Sequence, residues 1–162
     1  MGKRRESRRT RRPVSANHRA ASPGKVLSRS FFGRPSSDVA PALLGCIIEH
    51  ETPEGLVAVR LTEVEAYRGE LDPASHAFRG RTPRNAVMYG DPGFVYVYFT
   101  YGMHFCVNVV CRPPGVAAAV LLRAGDVVSG VQVATARRPR SRARDLARGP
   151  ARPPQALGID RT

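Results

Sequence analysis

Glu63, Glu65 and Tyr67 stand at i, i+2 and i+4 of the stretch LTEVEAY. In an extended chain that spacing points two carboxylates and a phenol to one side. Paired acids of this kind can activate a water or stabilise a developing positive charge. Acids at a strand end are equally at home on a solvated rim, and taken alone these residues favour the rim.

Their neighbours add weight to a site. All five tyrosines, Tyr67, Tyr89, Tyr96, Tyr98 and Tyr101, fall in one window together with His76, His104, Arg79, Arg81 and Arg84. Aromatics interleaved with cations suit the stacking of unpaired bases, with guanidinium groups on phosphates. Tyrosine also favours strands, so plain sheet composition is the alternative. Arg123 closes an apolar run and needs an acidic partner or a ligand if it is even half-buried. A metal centre is not supported, because alternation separates Cys111 from His104 and Cys106 and no second ligand pair appears. Gly90-Asp91-Pro92-Gly93 is turn chemistry without the Lys-Ser/Thr of a phosphate loop, and no Gly-x-Ser-x-Gly element occurs.

The elements that must position these residues are legible from period and punctuation. Ser36 or Ser37 is placed to cap a short helix through Leu44. Residues 46–51 and 56–65 read as a hairpin around Pro53-Glu54-Gly55, with Val57, Val59 and Leu61 on one face and the two carboxylates continuing it. Residues 66–92, rich in Gly, Pro and Asp, form a long loop of the kind that is usually functional. Three β-rich stretches follow at 94–98, 103–111 and 116–123. In the second, Met103, Phe105, Val107, Val109 and Cys111 share one face, and His104, Cys106 and Asn108 the other. The third is apolar on both faces, as a central strand would be. The fold class expected is α+β: one domain on a curved, mainly antiparallel sheet with short flanking helices.

The chain has 162 residues and a formal net charge of +13, from 26 Lys+Arg against 13 Asp+Glu. The charge is concentrated at the ends, and residues 30–136 sum to about −2. Residues 1–30 are expected to be a disordered Arg-rich arm, read either as a phosphate-binding tether or as a solubilising tail. The longest apolar run, Val116 to Leu122, falls far short of the roughly 20 residues of a membrane-spanning helix. No membrane partner is therefore expected, and with no secretion signal after Arg12 a cytoplasmic location is. Cys46, Cys106 and Cys111 suggest buried free thiols.

Residues 61–110 carry three ordered signatures: EAYxGxxDxASH, RGRTPRNxVM and YVYxxYGMxxCxN. This segment strongly resembles the alkyladenine (3-methyladenine) DNA glycosylase family. The flanks LLG, VLLRA and GP…QALGI extend the likeness over most of residues 36–160. The sequence departs from the family at Gly125-Asp126-Val127, where RALEP is usual, and in the Arg-rich stretch 132–152. It is expected to be a bacterial member, with residues 31–162 forming a glycosylase domain that lacks the family's C-terminal strands.

The resemblance implies a monomeric hydrolase of base excision repair, without metal or cofactor, that flips a damaged purine from double-stranded DNA and cleaves its N-glycosidic bond. A place on the bacterial nucleoid follows. Glu65 matches the base that activates water, and Arg123 the arginine beside that water. Tyr67, His76 and Tyr98 match the residues that sandwich the flipped base. Asn108 matches the asparagine that excludes guanine's amino group, and Tyr101 the wedge that fills the vacated stack. Arg79, Arg81 and Arg84 are candidates for the DNA backbone. Independently of any family, Lys3 and Lys25 are the only lysines, so a Schiff-base step has no amine in the globular part. Water is then the nucleophile and an abasic site the product. The alternative is a non-catalytic relative that binds DNA through its basic ends.

Overall fold

The computed structural model describes residues 24–160. Five antiparallel strands form one curved sheet in the order β1-β2-β5-β4-β3. They are β1 (Ile47–Thr52), β2 (Gly55–Tyr67), β3 (Val95–Thr100), β4 (His104–Val110) and β5 (Ala119–Ser129). Four short helices accompany them: α1 (Arg29–Phe32), α2 (Ser36–Leu43), α3 (Val131–Arg137) and α4 (Arg152–Leu157). The hairpin, the three later strands and the central position of β5 agree with the sequence reading. β5 runs six residues past Arg123, through the stretch where the sequence departs from the family pattern. Residues 1–23 of the expected arm lie outside the described residues; residues 24–28 have no helix or strand, and α1 begins at Arg29.

One face of the sheet is the main core. Leu61, Val64, Ala66, Val107, Val109, Val120 and Leu122 pack there with Val39 and Leu43 of α2. Val57 and Val59 extend that face toward Ala134, Ala156 and Leu157 of α3 and α4. Across the sheet, Tyr96, Val110 and Ala119 meet Ala77 and Met88 from the loop between β2 and β3. The sheet is thus covered on both sides, by helices on one and by the long loop on the other.

The expected face of the carboxylates is corrected by a bulge. In the β2–β5 register Leu61 pairs with Gly125 and Glu63 with Ala124, so Thr62 is an extra residue in β2. Glu63–Ala124 is followed by Val64–Leu122, which makes Arg123 an extra residue in β5. A bulge moves everything beyond it to the opposite face. Val64 and Ala66 therefore continue the apolar face begun by Leu61, and Glu63, Glu65 and Tyr67 turn away from it.

The expected helix cap is also corrected. Pro35 occupies the N-cap of α2, and no side chain caps the helix. Ser36 lies buried in the first turn, where its hydroxyl donates to the Tyr67 carbonyl at 2.9 Å. A buried hydroxyl is worth more bonded across elements than left without a partner, and this bond ties the end of β2 to α2. Just beyond, Gly69 passes so close to the backbone of Ala117 that a Cβ would lie 2.0 Å from its carbonyl oxygen. Only glycine fits there, which fixes where the loop leaves the sheet.

Candidate active site

The register sets the geometry of the loop-covered face. Glu65 pairs with Leu121, Leu121 with Asn108, and Asn108 with Tyr96. Directly paired residues share a face, so one row across four strands carries the carboxylate, the amide and a phenol. Tyr98, opposite Cys106, lies one step along β3, and Tyr67, opposite Ala119, one step along β2.

A pocket opens between these strands and the loop, lined by Tyr67, His76, Tyr96, Tyr98 and Asn108, with Ala74 and Met88 behind. Four of the five polar positions come from the sequence reading. His76 is carried over the sheet by the loop and stands edge-on to Tyr98, with ring centroids 4.4 Å apart. Its Nδ1 is 3.1 Å from the Tyr96 hydroxyl. The ring packs against the tyrosines, and this burial, with the charge of Arg84, lowers the imidazole from its usual range. A neutral ring at neutral pH follows, suited to stacking. Asn108 is buried, and its Nδ2 donates to the Tyr96 carbonyl at 3.4 Å.

At the pocket's edge Arg123 lies between two carboxylates. Its Nη1 donates to Glu65 at 2.5 Å and its Nε to Glu63 at 2.8 Å. These two bonds, Glu65 first, push the guanidinium above its usual range. The Tyr67 hydroxyl faces Glu65; burial first, then that carboxylate, pushes it up to about 12. Tyr98 is raised as well, by burial and by the neighbouring Cys106. Both phenols therefore remain protonated and available as donors. The arrangement is one carboxylate held by an arginine and a phenol, beside a small pocket walled by aromatic rings.

The sequence profile of the methylpurine-DNA glycosylase family matches residues 30–162. The chain belongs to this family. Among proteins assigned as 3-methyladenine DNA glycosylases, it is 57% identical over 136 residues to one from Streptomyces avermitilis, covering 83% of this chain and 64% of that one. A Leifsonia xyli relative is 56% identical over 152 residues, covering 90% and 70%. One from Burkholderia lata is 54% identical over 138 residues, covering 85% and 65%. The chain spans about two-thirds of the length of these relatives.

Other candidates of this methylpurine-DNA glycosylase family member are placed apart from the pocket. Tyr101 sits at the tip of the β3–β4 hairpin, 89% exposed and with φ of 50°, a conformation a bulky residue seldom adopts. Arg84 donates through Nη2 to the Phe99 carbonyl at 3.4 Å, alongside that hairpin. Arg81 lies 5.9 Å over the Tyr89 ring, and Arg79 is exposed on the same loop. No group of three His, Cys, Asp or Glu among the described residues is arranged to hold a metal.

Three contributors stand outside the site residues that the family motifs supplied. Tyr96 lies two residues before Tyr98, so its shared face was visible in the alternation. Glu63 had the same signal relative to Glu65, and the structure adds its bond to the guanidinium that also holds Glu65. Asn85 had none: its buried amide donates to the carbonyls of His76 and Gly80 and accepts from the Thr82 amide, bracing the loop from within.

Proposed function

We propose that this family member is a monofunctional DNA glycosylase that removes alkylated or deaminated purines from duplex DNA and leaves an abasic site. The observation that carries this reading is the Glu65–Arg123 contact of 2.5 Å beside Tyr67, which bonds to Glu65 and lines the aromatic pocket. Glu65 takes a proton from water as the water oxygen bonds to the anomeric carbon. The glycosidic bond breaks, and its electron pair leaves with the base. A ring-alkylated adenine, cationic while attached, departs neutral. The carboxylate also stabilises the positive charge that develops on the sugar.

Tyr67, His76 and Tyr98 hold the flipped base from several sides, with the electron-rich rings favouring a cationic purine. Asn108, fixed by its bond to Tyr96, crowds an exocyclic amino group and so discriminates against guanine. Tyr101 fills the gap left in the base stack, and Arg79, Arg81 and Arg84 lie along the strand backbone. The protein acts as a monomer.

The test is release of base from duplexes carrying hypoxanthine, ethenoadenine or 3-methyladenine, read as alkali-labile sites under single turnover. Glu65→Gln should reduce release by at least ~10²-fold while retaining duplex binding. Folded protein that binds duplex and yields no abasic product would favour the non-catalytic, DNA-binding reading.

A further inference from the structure

A second concavity carries chemistry that the base pocket does not use. His104, Arg138, Arg148, Arg152 and Gln155 line it, together with the turn Gly149-Pro150-Ala151. The side chains converge from the start of β4, the residue after α3 and the segment entering α4. Among the described residues that line it there is no carboxylate.

Two of the cations are anchored, Arg138 by its side chain and Arg148 through its backbone. Arg138 is half-buried; its Nη1 donates to the Leu146 carbonyl at 2.7 Å and its Nη2 to the Ser141 hydroxyl at 2.8 Å. Burial, and then the charge of Arg152, holds its guanidinium below the usual range. Arg148 is fixed to β5 by its bridge with Ala124, next to the bond from the Gly125 amide to the Ala147 carbonyl at 2.9 Å. Its Nη2 also lies 3.5 Å from Asp126, an exposed pair that contributes little. Guanidinium groups crowded in this way favour an anion with several acceptor oxygens, and phosphate matches their fork geometry.

The position of the pocket identifies the source of the phosphate. His104 pairs with Thr100 across the turn that carries Tyr101. Arg84 bonds to Phe99 on the β3 side of the same hairpin. The exposed aromatic tip therefore has cations on both flanks. A wedge that enters the minor groove of a duplex meets a phosphate backbone on either side, across a groove about 6 Å wide. We propose that the pocket of His104, Arg138, Arg148 and Arg152 receives a backbone phosphodiester of duplex DNA, on the strand opposite the one that faces Arg84. The proposal rests on the duplex-binding part of the function above and not on base release.

Binding of the full chain to undamaged duplex, followed by fluorescence anisotropy across a chloride series, counts the phosphates engaged. Each contact contributes about −0.9 to the slope of log K against log salt. Arg148→Ser with Arg152→Ser should flatten the slope by about one contact, and Arg148→Lys with Arg152→Lys should keep it near wild type. Arg140→Ser with Arg142→Ser removes the same charge from exposed positions outside the pocket and should flatten it much less. An unchanged slope in the pocket variant, or equal flattening by both serine pairs, overturns the proposal. Arg138 is left intact because it also bonds Leu146 and Ser141. If the double serine variant does not fold, the single Arg148→Gln and Arg152→Gln variants give the same readout, each flattening the slope by part of that one contact. At matched ionic strength, inorganic phosphate should compete no better than chloride; an arginine-dependent advantage would make this a free-anion site and overturn the DNA assignment. No arm reads base release, so slope loss without glycosylase activity sinks the catalytic reading alone, and activity without slope loss sinks this one alone.

Discussion

Arg123 and Glu65 are joined across the β2–β5 pair by a contact of 2.5 Å between Nη1 and Oε2. Arg123 lies two residues from Leu121, the partner of Glu65, so alternation puts its side chain on the face of the carboxylates, and the bulge leaves it as the extra residue beside Glu63. Nε of the same guanidinium is taken by Glu63 at 2.8 Å. Glu63 thus orients the arginine that orients Glu65.

Glu63→Gln should consequently act on turnover through position. The substitution keeps an acceptor for Nε but weakens its hold, and a loss in kcat of roughly 10-fold with KM little changed is expected, well short of the effect of Glu65→Gln. Because these side chains are partly exposed, the unfolding midpoint should move little. Single-turnover kinetics beside a thermal melt would decide it; equal losses in Glu63→Gln and Glu65→Gln would contradict the ranking.

The lowered imidazole of His76 gives stability a pH dependence of defined sign. Its ring binds a proton less readily folded than unfolded, where the value is about 6.5. Between the two values the unfolded chain holds more protons, so the native state loses stability as pH falls below about 6.5. His76→Gln should remove that part of the slope, and the stability gap between wild type and variant should narrow as pH drops from 7.5 toward 5. Denaturant melts at several pH values check this; a gap that widens on acidification would reverse the sign.

Tyr101→Gly should separate stability from function. The tyrosine sits in left-handed backbone and is 89% exposed, so its removal relieves strain and costs almost no packing. An unfolding midpoint equal to or above wild type is expected, by up to ~1 kcal/mol. Affinity for lesion-bearing duplex should fall ~10-fold or more, because the vacated stack is no longer filled. A midpoint several degrees lower would mean that the tip packs against something.

Asn85→Ala should disturb the pocket from outside it. The substitution leaves the carbonyls of His76 and Gly80 and the amide of Thr82 without their partner in a buried site. A loss of about 2 kcal/mol is expected in equilibrium unfolding. Base release should weaken as well, since the loop that carries His76 loses its brace, and limited proteolysis within residues 76–85 should quicken.

How far the sequence could be read depends on the kind of signal each residue sends. Alternation in 103–111 placed Cys106 and Asn108 on the face away from Val107 and Val109, and that is where they lie, because β4 pairs without irregularity. The same rule put Glu65 on the face of Val57 and failed, because a bulge is an insertion relative to a partner strand and a single strand's pattern does not contain its partner. Ser36 had the composition of a cap but bonds Tyr67, a contact 31 residues away that local propensity cannot register. Family motifs supplied Tyr67, His76 and Tyr98 together; the strand register brings Tyr67 and Tyr98 to one face, and the loop carries His76 over it. Asn85 lay inside one of those motifs, yet its bracing role depends on burial by a loop whose path no periodicity describes.

The extra residue at Thr62 also limits how this chain can drift. Upstream and downstream of it β2 follows two different phases, joined at an exposed threonine. Almost any side chain would be tolerated there, since none is packed. Its deletion would not be, because Glu65 would be turned toward hydrocarbon and Val64 and Ala66 toward water in one step. Among descendants of this gene, position 62 should be free in spelling and fixed in length.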